Sequence, residues 1–198
     1  VDKKEKLFEG TFKKNYFDRG TAYSPNGFKY VGQFSKKNLR NGDGIEYDKN
    51  GNILYSGSWK DDLREGNGKL YDLNGNVIYE GFWKNNFKDG IGTDFYSNRK
   101  KLYYGEFKNN EMNGYGEYYD KNGNILYKGY WKDGLYHGDG KTFSTTEFES
   151  RLGRKIQKID KQGKFFKGDF IAERDVKRVD IGRLMFKHFF ESKLLDPK

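Results

Sequence analysis

The stretch from Tyr55 to Gly75, YSGSWKDDLREGNGKLYDLNG, decides the fold because it recurs one period later along the chain. From Tyr79 the sequence reads YEGFWKNNFKDGIGTDFYSNR, in which the glycines and aromatic residues are kept and the charged residues change. A fixed internal period of this kind indicates a repeat architecture, in which each unit is stabilised by its neighbours.

The repeat occurs six times along the chain. Its pattern is aromatic-x-Gly-x-aromatic, a spacer, Gly-x-Gly, two further residues and an aromatic residue. The units start at Phe8, Tyr30, Tyr55, Tyr79, Tyr103 and Tyr127. The Gly-x-Gly pairs are Gly42/Gly44, Gly66/Gly68, Gly90/Gly92, Gly114/Gly116 and Gly138/Gly140. The first unit is short and has only Gly20, with Asp18 in place of the first glycine.

Each unit predicts a strand, a loop, a second strand and a turn. Alternation places Tyr55, Gly57 and Trp59 on one face of the first strand, and KDDLREG is interpreted as a polar loop. Asn-Gly then predicts a tight type I′ hairpin, since that turn needs positive φ at both central residues. These pairs are Asn26-Gly27, Asn50-Gly51, Asn74-Gly75 and Asn122-Gly123. The fourth unit has SNRKK instead, so its turn is expected to differ.

One isolated hairpin is marginally stable in water, so we predict that the hairpins pair side by side and build columns of rings. One column contains Tyr30, Tyr55, Tyr79, Tyr103 and Tyr127, and the other contains Phe34, Trp59, Trp83, Phe107 and Trp131. The glycines have two explanations that the sequence leaves open. A Cβ there would displace a ring, or the backbone requires positive φ.

These residues resemble the MORN (membrane occupation and recognition nexus) repeat family, from Phe8 to about Phe143. The resemblance implies an all-β fold, an elongated, twisted, single-layer antiparallel sheet of stacked hairpins. It also implies a scaffold or adaptor role inside the cell, in the cytoplasm or at the cytoskeleton or a membrane. Such a scaffold often has a groove for a partner helix or peptide, and sometimes dimerises.

Composition agrees with a thin, aromatic-rich structure. Only 34% of the 198 residues are hydrophobic, whereas 18% are aromatic and 26 are glycine. The chain has no cysteine, which excludes a disulfide framework, a thiolate nucleophile and a Cys-ligated zinc site. No His/Asp/Glu cluster has metal-ligand spacing and no nucleophile–base pairing is visible. We therefore predict no catalytic residue, no metal and no cofactor.

The pattern fails after Phe143. The interval 144–171 is interpreted as a basic insertion and a degenerate seventh repeat, whose aromatic-x-Gly-x-aromatic run is Phe166, Gly168 and Phe170. Net charge is +9, and most of the excess lies in the last quarter of the chain. The candidate residues for binding anions or anionic lipid are Arg151, Arg154, Lys155, Lys158, Lys161, Lys164 and Lys167. The alternative explanation is a charged edge that keeps the open sheet from aggregating.

Residues 172–195 carry apolar side chains near helical spacing, among them Val176, Val179, Phe186 and Phe190. We predict a C-terminal α-helix that caps the last edge of the sheet. A basic amphipathic helix for a membrane or a partner is the second interpretation.

The leading hypothesis is a non-catalytic scaffold that binds a partner protein's helix or extended peptide on its aromatic face. The candidate partner-binding residues are Tyr55, Trp59, Tyr79, Trp83, Tyr103, Phe107, Tyr127 and Trp131, with the tryptophans as main anchors. The alternatives are an anionic phospholipid module, which uses the basic segment, and a regulatory part of a larger enzyme. A homodimer fits the open ends of the sheet. Nucleic acid is not an expected partner, because the repeats are nearly charge-balanced.

Overall fold

The computed structural model describes residues 7–149 and 155–171, which form one open antiparallel sheet. Its fourteen strands pair strictly in chain order. They are β1 (Phe8–Lys13), β2 (Tyr16–Tyr23), β3 (Lys29–Phe34), β4 (Arg40–Tyr47), β5 (Ile53–Lys60), β6 (Leu63–Tyr71), β7 (Val77–Lys84), β8 (Phe87–Phe95), β9 (Lys101–Lys108), β10 (Glu111–Tyr119), β11 (Ile125–Lys132), β12 (Leu135–Glu149), β13 (Lys155–Phe166) and β14 (Asp169–Ile171). The predicted sheet of stacked hairpins is thereby confirmed, with two strands more than six repeats supply. The predicted C-terminal helix lies outside the described residues.

The glycines hold the strands in register. Gly57 on β5 pairs with Gly44 on one side and with Gly68 on the other, and the same glycine-to-glycine pairing recurs from Gly10 to Gly163. In each middle unit the register shifts just beyond this pair, where Gly66 has a φ of 86°. The two open explanations therefore both apply, to different glycines. The first glycine of each Gly-x-Gly supplies positive φ at a bulge, and the second leaves space for a ring.

The type I′ turns lie at the other end of the hairpins from where they were expected. Asp61 and Asp62 have φ of 48° and 68°, so KDDLREG contains a two-residue turn and the start of β6 rather than a loop. Asn85-Asn86 and Asn109-Asn110 repeat this pair of positive φ values. Asn and Asp tolerate the left-handed region better than other residues with a side chain, which explains their recurrence here.

The Asn-Gly positions form three-residue loops, and the prediction of type I′ there was wrong. Only the glycine has positive φ, as at Gly51, whose N–H donates to the carbonyl of Asp48 at 3.1 Å. The Asp48 carboxylate also accepts the N–H groups of Asn50 and Asn52, each at 2.8 Å. The loop therefore has one residue in the left-handed region, and the aspartate side chain at its start accepts hydrogen bonds from the loop backbone.

The fourth turn was expected to differ, and that expectation was wrong as well. Arg99 takes the left-handed position with a φ of 65°, and its N–H donates to the carbonyl of Tyr96 at 2.9 Å. The hydrogen-bonded pairs on both sides of the loop hold the loop geometry although no glycine is present. The sequence of this turn differs from that of the other units, but its backbone conformation is the same.

The seventh unit has a register different from the one predicted. Gly163 pairs with Gly140, so Gly163 and Phe165 occupy the positions of Gly129 and Trp131. Lys167 and Gly168, with φ of 48° and 89°, form the next two-residue turn. The run Phe166-x-Gly168-x-Phe170 therefore spans the turn between β13 and β14, because strand pairing follows Gly163 and not the aromatic spacing.

Candidate functional site

The face that carries the predicted columns, here called the ladder face, contains a single interleaved row of rings. Each tyrosine contacts the large ring of its own unit and that of the next unit. These contacts run from Phe34 to Phe165, with ring centroids 5.0–5.5 Å apart and interplanar angles of 82–90°. Edge-to-face geometry of this kind adds about 0.5–1.5 kcal/mol per pair beyond area burial. The two predicted columns thus form one ladder, which is the core of the sheet.

The eight predicted partner-binding residues all lie in this ladder and are almost completely covered. Tyr55, Tyr79, Tyr103 and Tyr127 are 0% exposed, and Trp59, Trp83, Phe107 and Trp131 are 4–5% exposed. The rings therefore hold the sheet together, and a partner on this face meets mainly the side chains that cover them.

Hydrogen bonds fix the polar atoms of the ladder. The Tyr55 hydroxyl donates to the carbonyl of Ser58 at 3.1 Å, and the indole N–H of Trp59 donates to the carbonyl of Gly44 at 3.3 Å. Burial raises the pKa of Tyr30 and of Tyr127 to about 12, because the phenolate would lose its hydration. The ladder tyrosines are consequently neutral hydrogen-bond donors at physiological pH.

The side chains that lie over the ladder rings, here called the cover of the ladder, change along the sheet. In the second to fourth units the cover is cationic: the Arg40 guanidinium lies 4.0 Å from the Trp59 ring, and Arg64 lies 4.8 Å from the Tyr55 ring. Lys88 continues this row, whereas Met112 and Tyr136 take the same position in the following units. The ladder face is thus charged toward its N-terminal end and apolar toward its C-terminal end.

A groove of about 770 Å³ opens over the ladder at the second unit. Ala22 pairs with Tyr30 across the two neighbouring strands. In the later units a larger side chain lies opposite the ladder tyrosine, namely Glu46, Leu70, Asp94 or Tyr118. The short alanine side chain leaves Tyr30 and Phe34 as an apolar floor, 4% and 9% exposed.

Charged side chains line one wall of this groove. Arg40 pairs with Glu46 at 3.0 Å and with Asp62 at 3.2 Å, and Arg64 reaches the second oxygen of Glu46 at 2.8 Å. An apolar floor beside fixed charges suits a peptide that carries one apolar side chain between polar ones. The sequence prediction missed this groove, although aligning Ala22 with Glu46, Leu70 and Asp94 would have indicated it.

The basic candidates do not converge on one surface. Lys161 lies on the ladder side of β13, beside Gly163 and Phe165, whereas Lys164 points to the other side and pairs in register with Asp139. Lys167 lies in the turn before β14. Lys155 and Lys158 belong to β13, but their side chains lie outside the described residues, as do Arg151 and Arg154 altogether.

Chemistry other than binding has few candidates here. No group of three or more His, Cys, Asp or Glu residues that could hold a metal ion occurs in residues 7–149 and 155–171. Nor does that part of the chain contain a helix with the length and hydropathy of a membrane span.

Comparison with known families supports the repeat assignment. The family model described as the MORN repeat matches five segments, residues 30–53, 55–77, 79–93, 103–125 and 127–144. Each match starts at a tyrosine of the ladder, and the units that begin at Phe8 and Lys161 are not matched. No curated protein matches the chain.

Proposed function

Because this chain belongs to the MORN repeat family, we propose that it is a non-catalytic scaffold that binds a helix or extended segment of a partner protein on its ladder face. Repeats of this family are commonly modules for interaction with proteins or membranes, and they are generally not enzymes.

The observation that carries the proposal is the groove at Ala22, whose short side chain leaves open space over the ladder opposite Tyr30. A partner side chain that fills it would contact Tyr30 and Phe34, while polar groups beside it meet Arg40 and Glu46. Binding at one such pocket concentrates affinity in a few contacts, as is usual at protein interfaces. The fully covered rings from Tyr55 onward then serve as the rigid support of the site.

Peptide display on the whole chain tests this function. Peptides selected from a random library on the wild-type protein are measured again on Ala22→Leu, which places in the groove the side chain that Leu70 already has at the equivalent position. The strongest binders should lose at least tenfold in affinity. The matched control is Ser56→Val on the opposite face, where Val31 is the natural counterpart, and it should leave affinity unchanged. Binders indifferent to Ala22→Leu would contradict the proposal.

Binding to anionic phospholipid is the second candidate, and the net positive charge of the last quarter of the chain is what favours it. The divergent directions of Lys161 and Lys164 count against a single lipid-binding surface. Vesicles with and without anionic lipid, at low and high salt, separate the two functions, since lipid binding through lysines is screened by salt. Equal binding of the wild type and a Lys161→Glu/Lys164→Glu/Lys167→Glu variant would rule out this candidate.

A further inference from the structure

The face opposite the ladder carries a row of exposed apolar side chains in the fourth to sixth units. Phe82, Ile91, Tyr115 and Tyr130 are 43–50% exposed, and the exposed Glu106 lies at the middle of the row. Each residue alternates with ladder or glycine positions on its strand, so it points away from the ladder. We call these five residues the opposite-face row.

The row is contiguous across five strands, β7 to β11. Phe82 lies beside Gly90, since a Cβ built there would be 3.0 Å from the Phe82 Cβ, and Ile91 pairs with Glu106. The Glu106 carboxylate accepts the N–H of Tyr115 at 3.0 Å. The Tyr115 and Tyr130 rings are in edge contact, with centroids 5.4 Å apart.

The fold itself does not need apolar residues in this row. The corresponding positions of the second and third units are Gln33, Asp43, Ser58 and Asn67, which support the same ladder and the same strand register. An apolar strip that is confined to three units, and that the core does not require, is typical of an interaction surface.

Glu106 differs from Glu80 and Glu117, which lie on the same face of the sheet. Glu80 pairs with Lys69 at 3.1 Å, and Glu117 pairs with Lys128 at 2.7 Å. Within the part of the chain that the structure describes, Glu106 has no such cation. Its carboxylate is held in place by the Tyr115 N–H and carries an uncompensated negative charge at the centre of an apolar strip.

From this arrangement we propose that the opposite-face row binds an amphipathic helix of a partner protein that carries one basic side chain at its central turn. Strands lie about 4.8 Å apart, and one helical turn advances about 5.4 Å, so a helix that crosses the strands presents about one side chain to each strand. The distance from β7 to β11 is then about 19 Å, which corresponds to about 13 helical residues. Apolar residues at the outer turns cover Phe82, Ile91, Tyr115 and Tyr130, and the basic residue pairs with Glu106.

A second copy of this chain fits the row less well. A two-fold contact centred on the row would bring Glu106 against Glu106 of the second copy, which places like charges together. The four apolar side chains, each about half exposed, offer on the order of 400 Å², well below the ~800 Å² per partner of a stable interface. A short helix that binds weakly is compatible with this area, and its basic side chain neutralises the carboxylate instead of repelling it.

Two labelled helical peptides of about four turns test the proposal on the full chain. They have leucine at the outer turns and differ only at the central turn, which is Arg in one and Glu in the other. Fluorescence anisotropy should show the Arg peptide binding at least tenfold more tightly than the Glu peptide. Glu106→Gln should abolish most of this preference, although its amide oxygen still accepts the Tyr115 N–H.

Variants within one face provide the controls. Tyr115→Asn, which copies Asn67, should weaken the Arg peptide at least tenfold, whereas Asn67→Ala should not. Ala22→Leu on the ladder face should also have no effect, so this proposal and the proposed function fail separately. No binding of the Arg peptide, equal binding to Tyr115→Asn, or a preference that survives Glu106→Gln would overturn the proposal. So would dimerisation of the wild type that Tyr115→Asn abolishes in sedimentation.

Discussion

The ring of Tyr79 packs directly on the backbone of Gly92: a Cβ at residue 92 would lie 2.6 Å from Cε2 of the ring and 2.7 Å from Cζ. Gly81 pairs with Gly92 on the neighbouring strand, and a Cβ at residue 81 would lie 2.6 Å from the Tyr79 hydroxyl. A pair of glycines thus forms the floor on which each ladder tyrosine lies, and this explains how a single-layer sheet can bury a tyrosine completely.

Gly92→Ala should therefore destabilise the sheet much more than a glycine substitution in a loop. The new methyl group displaces Tyr79 from the ladder, and losing a buried aromatic ring costs about 3–5 kcal/mol. Gly75→Ala is the matched control, because its φ is 77° and no atom lies within 4 Å of its Cβ position. That variant should lose only about 1–2 kcal/mol, from the left-handed backbone. Urea unfolding measures both, and equal losses would contradict the packing role of Gly92.

Arg99→Gly should stabilise the protein. Arg99 has the φ of 65° that Gly51, Gly75 and Gly123 adopt at the same loop position. A left-handed backbone destabilises a residue that has a Cβ by about 1–2 kcal/mol. The hydrogen bond from Arg99 to Asn76 offsets part of this strain. The expected gain is about 0.5–1 kcal/mol, measured as a higher urea midpoint at constant slope. The reverse change, Gly75→Arg, should lower the midpoint, and a neutral result for both would refute the strain argument.

Replacing both Lys88 and Asp94, which form an ion pair, should preserve the stability of the protein, whereas replacing Lys88 alone should lower it. The two residues occupy the positions of Met112 and Leu70 in neighbouring units, and burial raises the pKa of the Asp94 carboxyl. Lys88→Met leaves this carboxylate without its cation and should cost about 2–3 kcal/mol. Lys88→Met/Asp94→Leu should be as stable as the wild type within about 1 kcal/mol.

The pH dependence of Lys88→Met provides its check. A carboxyl whose pKa is raised in the folded state binds its proton more tightly there than in the unfolded chain, so acidification favours folding. The stability deficit of Lys88→Met relative to the wild type should accordingly shrink as the pH is lowered from 7, because protonation of Asp94 removes the buried charge. A deficit that is constant with pH would show that lost packing, not the buried charge, is its cause.

Alkaline pH should unfold the sheet through the ladder tyrosines. Unfolded tyrosine ionises near pH 10, whereas burial raises the pKa of Tyr30 and Tyr127 to about 12 in the fold. The unfolded chain therefore loses these protons first, and stability falls as the pH rises from about 10 to about 12. A phenolate absorbance titration should resolve the 16 tyrosines into an early group and a late group that ionises with unfolding. One transition near pH 10 for all of them would contradict this.

Much of the architecture could be predicted from spacing alone. The recurrence of Tyr55, Gly57 and Trp59 every 24 or 25 residues predicted the strands, their side-by-side pairing and two columns of rings, which form one ladder in the structure. Repetition makes such prediction reliable, because a feature common to several units reports what every unit needs. The same logic fails where units differ, which is why the groove at Ala22 and the register at Gly163 were missed.

Turn types and exposure were harder to predict, since they depend on how two strands meet. Asn50-Gly51 and Asp61-Asp62 are both compatible with a tight turn, and only the pairing of the flanking strands assigns the two-residue turn to Asp61-Asp62. The tryptophans were proposed as the main anchors for a partner because large aromatic residues favour interfaces. The burial of Trp59 and Trp83 follows from the cover that Arg40 and Arg64 provide from other strands, and that of Trp131 follows from contact with Tyr136.

By itself the sequence determined a sheet of stacked β-hairpins, because the alternation of rings and glycines is a local pattern. Every unit repeats this pattern, and each unit is stabilised by its neighbours. The tertiary structure alone decided which side chains cover the ladder, where a groove opens beside that cover and which residues remain exposed on the opposite face. These properties depend on contacts between residues about 20 positions apart on different strands, and no local pattern specifies them.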